Sequence, residues 1–366
     1  MPEGHVIHRL ARELNRDFSE APLHVSSPQG RFRTEAELLD AHPLAAAEAW
    51  GKHLFIDFDT DQPEHIVHIH LGLIGKLQIN PLAEPVGEVR FRMATDELAA
   101  DLRGPQWCRL ITDGERDAAI DKLGGDPLRE DSDPDATWMR LRRASRSIGA
   151  LLMDQKLFAG VGNIYRAETL FRQGISPFTS AKMLDRGEFD AIWSDLSELM
   201  RDGVDVGRID TVRPEHTPEA MGREPRKDDH GGEVYVYRRA GQPCYVCGTP
   251  ISETVMEGRN LFWCEACQSC VRAHAMPFLR RAGLLSTCVF GKRPFFSSKI
   301  LTQSSAMQII SIIIVARETI NILLYLCGRK DRRFDKQPFG ASPHFRFFVI
   351  RRAYLFSLSD LSHLYT

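Results

Sequence analysis

The stretch Gly241-Gln242-Pro243-Cys244-Tyr245-Val246-Cys247, answered sixteen residues later by Cys264-Glu265-Ala266-Cys267, decides how the rest of the chain is read. Two C-x-x-C pairs at this separation let two tight turns present four thiolates tetrahedrally to one Zn²⁺. Cys270 gives the second pair an alternative outer ligand, so Cys267 and Cys270 compete for that place. Between the pairs, residues 254–262 carry apolar side chains on both sides of Gly258, the pattern of a β-hairpin with a glycine turn. Its tip displays Arg259 and Asn260. A guanidinium on a metal-clamped hairpin suits bidentate capture of a phosphate, and an ordinary solvated arginine fits the same position.

Working towards the N-terminus, residues 234–238 alternate like a strand leading into the first cysteine pair, and the charged run 213–232 before them reads as a flexible loop. Segments 148–157, 163–173 and 189–200 repeat apolar residues three and four apart, which predicts a helical bundle. Two of these helices flank Gln155-Lys156-Leu157-Phe158-Ala159-Gly160-Val161-Gly162-Asn163-Ile164-Tyr165, where Gly160 and Gly162 permit positive φ and close backbone approach to a ligand. Asn163 is placed to cap the second helix, whose free N–H groups would form a phosphate site. A plain helix–turn–helix corner has the same signature; beside a zinc hairpin the turn becomes a second contact to a DNA backbone.

The polar stretch 117–135 holds Gly124, Gly125, Pro127 and Pro134 and reads as a linker. Before it, a helix over residues 4–14 and short apolar strands over 54–58, 66–71 and 76–79 predict a β-sandwich with flanking helices. At the very start, Met1 precedes Pro2, a residue small enough for removal of the initiator methionine. That would expose a secondary amine beside the Glu3 carboxylate. An α-amine with a pKa of about 8 is partly neutral at cellular pH and can attack C1′ of a deoxyribose. The resulting iminium is an electron sink that acidifies C2′, allows β-elimination of the 3′ phosphate and then δ-elimination of the 5′ phosphate, with Glu3 shuttling protons. Met-Pro-Glu is also a common and meaningless protein start.

Composition sets the bounds. The 366 residues, 43% hydrophobic and 26% charged, suffice for two or three domains. A net charge of -2 hides an asymmetry: from Pro277 onward there are 14 Lys+Arg against 4 Asp+Glu, whereas residues 1–276 carry 33 against 45. Any nucleic-acid site must therefore be a local basic patch. Paired cysteines and a polar N-terminus without a secretory apolar region point to a reducing cytoplasm. The most apolar stretch, 307–327, is interrupted by Arg317 and Glu318 at roughly 3 kcal/mol each, so no membrane span is expected. His5 with His8, and His68 with His70, are too few ligands for a metal and are expected at the surface or facing DNA.

Together, Pro2-Glu3-Gly4, the turn at residues 160–165 and the four-cysteine hairpin resemble the formamidopyrimidine-DNA glycosylase and endonuclease VIII family. The similarity spans roughly residues 2–276. It includes Ala49-Trp50-Gly51-Lys52-His53-Leu54, His70-Leu71-Gly72-Leu73 and Gly258-Arg259-Asn260. The resemblance implies an α+β multidomain protein: an N-terminal catalytic β-sandwich (2–120), a helix–two-turn–helix DNA-binding domain (135–225), a zinc finger (234–272) and an atypical tail (277–366). It implies Pro2 as nucleophile, Glu3 as general acid, and Lys52 and Arg259 as catalytic groups that also bind DNA phosphates. Asn163 would bind the damaged strand's backbone and Leu73 would fill the hole left by a flipped nucleotide, although an ordinary core leucine also fits. Structural Zn²⁺ on Cys244, Cys247, Cys264 and Cys267, damaged DNA as partner, a monomer and a bacterial cytoplasmic setting complete the expectation.

Departures bear on substrate. The purine-lesion branch usually begins Pro-Glu-Leu-Pro-Glu and carries an Arg-Arg-Phe-Gly wedge; here the start is Pro2-Glu3-Gly4-His5 and Leu102-Arg103-Gly104-Pro105-Gln106 stands in the wedge's neighbourhood. Oxidised pyrimidines are the expected substrate. A non-catalytic, zinc-dependent DNA-damage binder shares every feature except a free Pro2 amine. A zinc-finger transcription regulator would need a base-reading recognition helix, and none is legible. The basic tail, with Arg329, Lys330, Arg332 and Arg333, reads either as an added DNA- or membrane-surface arm or as a read-through extension.

Overall fold

The computed structural model describes residues 2–19, 22–227 and 232–269. Cys270 and the tail at 277–366 lie outside the described residues. In chain order the elements are α1 (Gly4–Phe18), β1 (His24–Ser26), α2 (Arg33–Leu39), β2 (Leu44–Trp50), β3 (His53–Phe58), β4 (Ile66–His70), β5 (Lys76–Pro81), β6 (Val89–Ala94), β7 (Leu98–Arg103), β8 (Trp107–Ile111), α3 (Asp113–Ile120), α4 (Pro134–Leu141), α5 (Ile148–Leu151), α6 (Asn163–Arg172), α7 (Arg186–Val206), α8 (Pro218–Met221), β9 (Ser252–Met256) and β10 (Arg259–Trp263).

Eight strands form two antiparallel four-stranded sheets, β1-β6-β7-β5 and β2-β3-β4-β8. Alternation buries Leu54, Ile56, Phe58, Val67 and Ile69 from one sheet with Phe91, Met93, Ala100 and Leu102 from the other in a single core. The first helix joins that core through Ile7, Leu10, Ala11, Leu14 and Phe18, one helical face. Its other face carries Arg9 and Arg12, which donate to the terminal carbonyls of α7: Arg9 to Val204 and Asp205 (3.0 and 2.8 Å) and Arg12 to Val204 (2.9 Å). Cations at a helix C-terminus are favoured by its dipole, and here they tie the sandwich to the helical region.

A second core holds Phe158, Val161, Ile164, Leu170, Phe189, Ile192, Leu196 and Met200 together with Tyr235, Tyr237, Ile251 and Phe262. The cysteine hairpin is thus continuous with the helices. Its strands are joined by Glu257 and Gly258, both at positive φ (50° and 75°), the two-residue turn whose twist matches a hairpin.

Several expectations change. The first helix runs to Phe18, beyond position 14. The helix expected over 148–157 stops at Leu151, because the Asp154 side chain accepts the Lys156 N–H at 3.1 Å and opens a series of turns. A helix, α3, occupies the start of the expected linker. The run 213–232 contains a short helical turn, Pro214–His216, and α8. Residues 234–238 are bends and turns rather than a strand, because the buried Glu168 carboxylate takes the amides of residues 235–237.

Candidate active site

Three glycines let the elements converge. Gly160 lies at φ 86° against Gly4 and Gly51, both with Cα atoms close enough that an added Cβ on Gly160 would stand 3.3 Å away. The Gly4 amide donates to the Gly160 carbonyl at 2.8 Å. The start of α1, the β2–β3 turn and the turn before α6 therefore meet at backbone contact.

Into this junction points Glu3, which is fully buried. Its Oε1 accepts the Ile164 N–H at 2.9 Å, and the Tyr165 N–H also faces the carboxylate. The residue before α6, Gly162, has no side chain to cap the helix; Glu3, 161 positions before Ile164, does so. The free N–H groups expected at this helix start are consequently occupied. Burial raises the Glu3 pKa, opposed by the nearby Lys52 charge and the two amides. Its Oε2 has no hydrogen-bond partner among the described residues. Pro2, immediately before it, is half-buried.

Lys52 sits in the β2–β3 turn and donates to the Val161 carbonyl at 2.8 Å. Burial pushes its pKa down to about 8; Glu3 works against that shift and Arg259 with it. The same turn is anchored by Asp126, a fully buried linker residue that accepts the Gly51 N–H at 2.7 Å and the Leu128 N–H at 2.9 Å and pairs with His8 at 2.8 Å.

Asn163 begins α6 instead of capping it. Its side-chain amide donates to the Asn260 carbonyl of the hairpin at 2.9 Å, and its oxygen accepts from Arg166. Arg166 is fully buried, donates to the same Asn260 carbonyl at 2.9 Å, and has its pKa lowered to about 10 by burial and then by Arg259. The α6 start and the hairpin are thereby held in fixed relation. Arg259 opens β10, exposed, on the wall of a cleft of about 630 Å³ that Leu73, Asn163, Tyr237, Arg238 and Asn260 also line. Leu73 is 66% exposed in the β4–β5 turn, so it is not a core leucine; Ile74 beside it is 80% exposed. Gln106, from the β7–β8 turn, packs on Gly72 of the same loop.

The four Sγ atoms of Cys244, Cys247, Cys264 and Cys267 lie within 4.8 Å of one another, with Cys244 to Cys267 at 3.9 Å and Cys247 to Cys264 at 3.4 Å. Zinc–thiolate bonds of about 2.3 Å place tetrahedral sulfurs about 3.8 Å apart, so these residues fit a structural Zn²⁺ with Cys267 in the outer place. Bound there, the ion would clamp the hairpin.

Of the four histidines, His5 and His68 are buried rather than at the surface. His5 is 3% exposed, edge-on to Tyr165, and burial lowers its pKa to about 4. His68 and His70 share one sheet face with His53 and Trp107; His53 and His68 ring nitrogens are 2.8 Å apart, and burial lowers both pKa values, to about 4 and about 3.

Residues 1–106 match the formamidopyrimidine-DNA glycosylase N-terminal domain, 123–214 the formamidopyrimidine-DNA glycosylase H2TH domain, and 241–269 the zinc finger found in FPG and IleRS. Endonuclease 8 1 of Mycobacterium tuberculosis is 49% identical over 278 residues, covering 74% of this chain and all of that protein. The chain belongs to the formamidopyrimidine-DNA glycosylase and endonuclease VIII family. It is an enzyme of base-excision DNA repair. The formamidopyrimidine-DNA glycosylase of Acaryochloris marina is 32% identical over 229 residues, 60% of this chain and 78% of that one. Among solved structures, the Lactococcus lactis Fpg complex with abasic-site DNA shares the fold at TM-score 0.60 and 22% identity, covering 73% of this chain and 99% of that chain. Thermus thermophilus MutM matches at TM-score 0.57 and 26% identity, over 73% and 98%. Among the described residues no helix is long and apolar enough to cross a membrane.

Sequence reasoning missed Asp126, Arg166 and Ile74, and singled out Gln106 only as part of the stretch near the wedge position. The i, i+3 spacing of Asn163 and Arg166 on one helix face could have flagged Arg166; Asp126 gave no local signal.

Proposed function

We propose that this glycosylase is bifunctional: it excises oxidised pyrimidines from damaged DNA through a Schiff base at the amine of a processed Pro2, then nicks the abasic site by β,δ-elimination. The observation that carries the reading is the buried Glu3 carboxylate, held by α6 directly after Pro2 and beside Lys52. The Pro2 nitrogen attacks C1′, the C1′–base bond breaks, and the departing base needs a proton. A carboxyl whose pKa is raised by burial holds its proton nearer to neutral pH than a solvated one and can deliver it. The same group, as carboxylate, then receives protons during elimination.

In this reading Lys52, Asn163 and Arg259 grip phosphates of the damaged strand along the cleft, and Leu73 fills the gap left by the extruded nucleotide. The division into a catalytic sandwich (2–120), a helix–two-turn–helix domain (135–225) and a zinc finger (234–272) follows the same roles. Pyrimidine lesions are favoured by Gly4 and by the 49% identity to a protein named endonuclease 8. The protein would act as a monomer where bacterial chromosomal DNA lies.

Borohydride trapping on an oligonucleotide containing 5-hydroxyuracil tests this. A covalent adduct with the processed protein, absent when one residue precedes Pro2, is expected. No adduct even on a ready-made abasic site would leave a damage-binding protein instead.

A further inference from the structure

We infer that Gln106 and His70 are positioning residues that brace the exposed Leu73 turn, so that it enters the duplex as a preset wedge; this rests on the role proposed for Leu73 above. The turn between β4 and β5 is short and closed. The Gly75 N–H donates to the Leu71 carbonyl at 3.0 Å, and a Cβ on Gly75 would stand 2.3 Å from that carbonyl oxygen. Gly72 lies at φ 70°, a left-handed backbone open to glycine. The tip, Leu73 and Ile74, is apolar and 66% and 80% exposed. Such a tip fills a gap in a base stack best when it arrives ordered, because a mobile turn would lose its conformational freedom in the same step that parts the stack.

One histidine supplies the order. The His70 Nδ1 accepts the Gly72 N–H at 3.1 Å, and the His70 carbonyl accepts the Gln106 N–H at 2.9 Å. The Gln106 side chain hydrogen-bonds the same ring and packs on Gly72, where an added Cβ would meet the Gln106 Cβ at 2.9 Å. With Nδ1 accepting a backbone amide, the neutral ring carries its proton on Nε2, which leaves that nitrogen to meet the Gln106 carboxamide. Burial and then the Lys52 charge lower the His70 pKa, which keeps the ring in the neutral form that has an acceptor nitrogen. Its plane is set by cross-strand neighbours: Trp107 stacks on it at 4.6 Å between ring centres and 29°, and His53 stands edge-on at 5.2 Å. The carboxamide of Gln106 is thus engaged by His70, and the β7–β8 turn supports the wedge instead of supplying one.

The test is single-turnover excision of 5-hydroxyuracil by the full-length zinc protein from a duplex, with guanine or adenine opposite the lesion, and from the same strand unpaired, where no base pair has to be opened. Gln106 is exposed, so the fold should survive its replacement. Gln106→Ala should slow excision from the duplex by about three- to tenfold, the range of one ordinary hydrogen bond, by the same factor opposite either base, and leave the unpaired strand at the wild-type rate. The double variant Gln106→Ala/His70→Ala should be no slower on the duplex than His70→Ala alone, because both residues act through one turn. The Gly72 amide, followed by hydrogen exchange in NMR spectra, should exchange faster in Gln106→Ala. Unchanged duplex excision, equal losses on duplex and single strand, or losses that multiply in the double variant would each overturn the brace. A loss confined to one opposite base would make Gln106 a base reader and overturn it too. Wild-type protein that excises from neither substrate would sink the functional reading, and the brace would then be decided by exchange alone, with unchanged protection of Gly72 overturning it.

Discussion

Gly162 stands so close to the Glu3 carboxylate that a Cβ at position 162 would lie 2.2 Å from the Glu3 Cδ. No side chain other than hydrogen leaves room for that carboxylate to reach the α6 amides. The glycine between the two turns thus serves the proton-transfer group directly, more than it serves any backbone bend: its φ is -122°, open to every residue.

Gly162→Ala should therefore displace Glu3 and cut single-turnover base excision by about a hundredfold or more, the usual range for a positioned acid–base group. Binding of abasic-analogue DNA should fall far less, because Arg259 and Lys52 remain. Near-wild-type excision by this variant would mean that Glu3 acts from some other position.

Lys52 gives a pH dependence with a definite sign. Its pKa is about 8, below the usual lysine value, because burial disfavours the cation. A phosphate favours the cation, so binding takes up a proton near that pH and affinity falls as pH rises through about 8. Fluorescence anisotropy of an abasic-analogue duplex across this range should show the decline in wild type. Lys52→Arg, charged throughout, should bind with a flatter profile. Parallel profiles would place the titration elsewhere.

The zinc hairpin was legible because its ligands lie within a few residues of each turn. The sandwich was legible only through β3, β4 and β5, short segments rich in apolar residues. The cap of α6 was assigned to Asn163 because capping is normally local, whereas the real cap, Glu3, comes from the far end of the chain. Val234-Tyr-Val-Tyr alternates like a strand, yet among the described residues no strand pairs with it: Glu168 takes the amides of residues 235–237 and the second core takes its rings. Such long-range polar pairings leave no periodic trace.

The hairpin shares its core with the helices, so metal loss should reach beyond the finger. Cys264 is fully buried, and Phe262 and Ile251 pack in the helical cluster. Cys264→Ser, or a strong chelator, should lower the melting temperature of the whole cooperative unit and abolish tight DNA binding, since a structural site contributes folding energy outright. Thermal denaturation with zinc quantification is the measurement. An unchanged melting curve after complete zinc removal would separate the finger from the fold.

Asp126 holds the β2–β3 turn that carries Lys52. Its carboxylate is the acceptor for the Gly51 and Leu128 amides and the partner of His8, joining the β2–β3 turn, the linker and α1 in one place. Asp126→Ala would leave two buried N–H groups unsatisfied, at about 1–3 kcal/mol each. A stability loss of about 3 kcal/mol is expected in chemical denaturation. Asp126→Asn, which retains an acceptor oxygen, should recover part of it. Because Gly51 immediately precedes Lys52, the alanine variant should also raise the dissociation constant for abasic-analogue DNA at a temperature where it is still folded. Lost stability with unaltered affinity would limit Asp126 to holding the fold, and Lys52 would then owe its position to its own bond with the Val161 carbonyl.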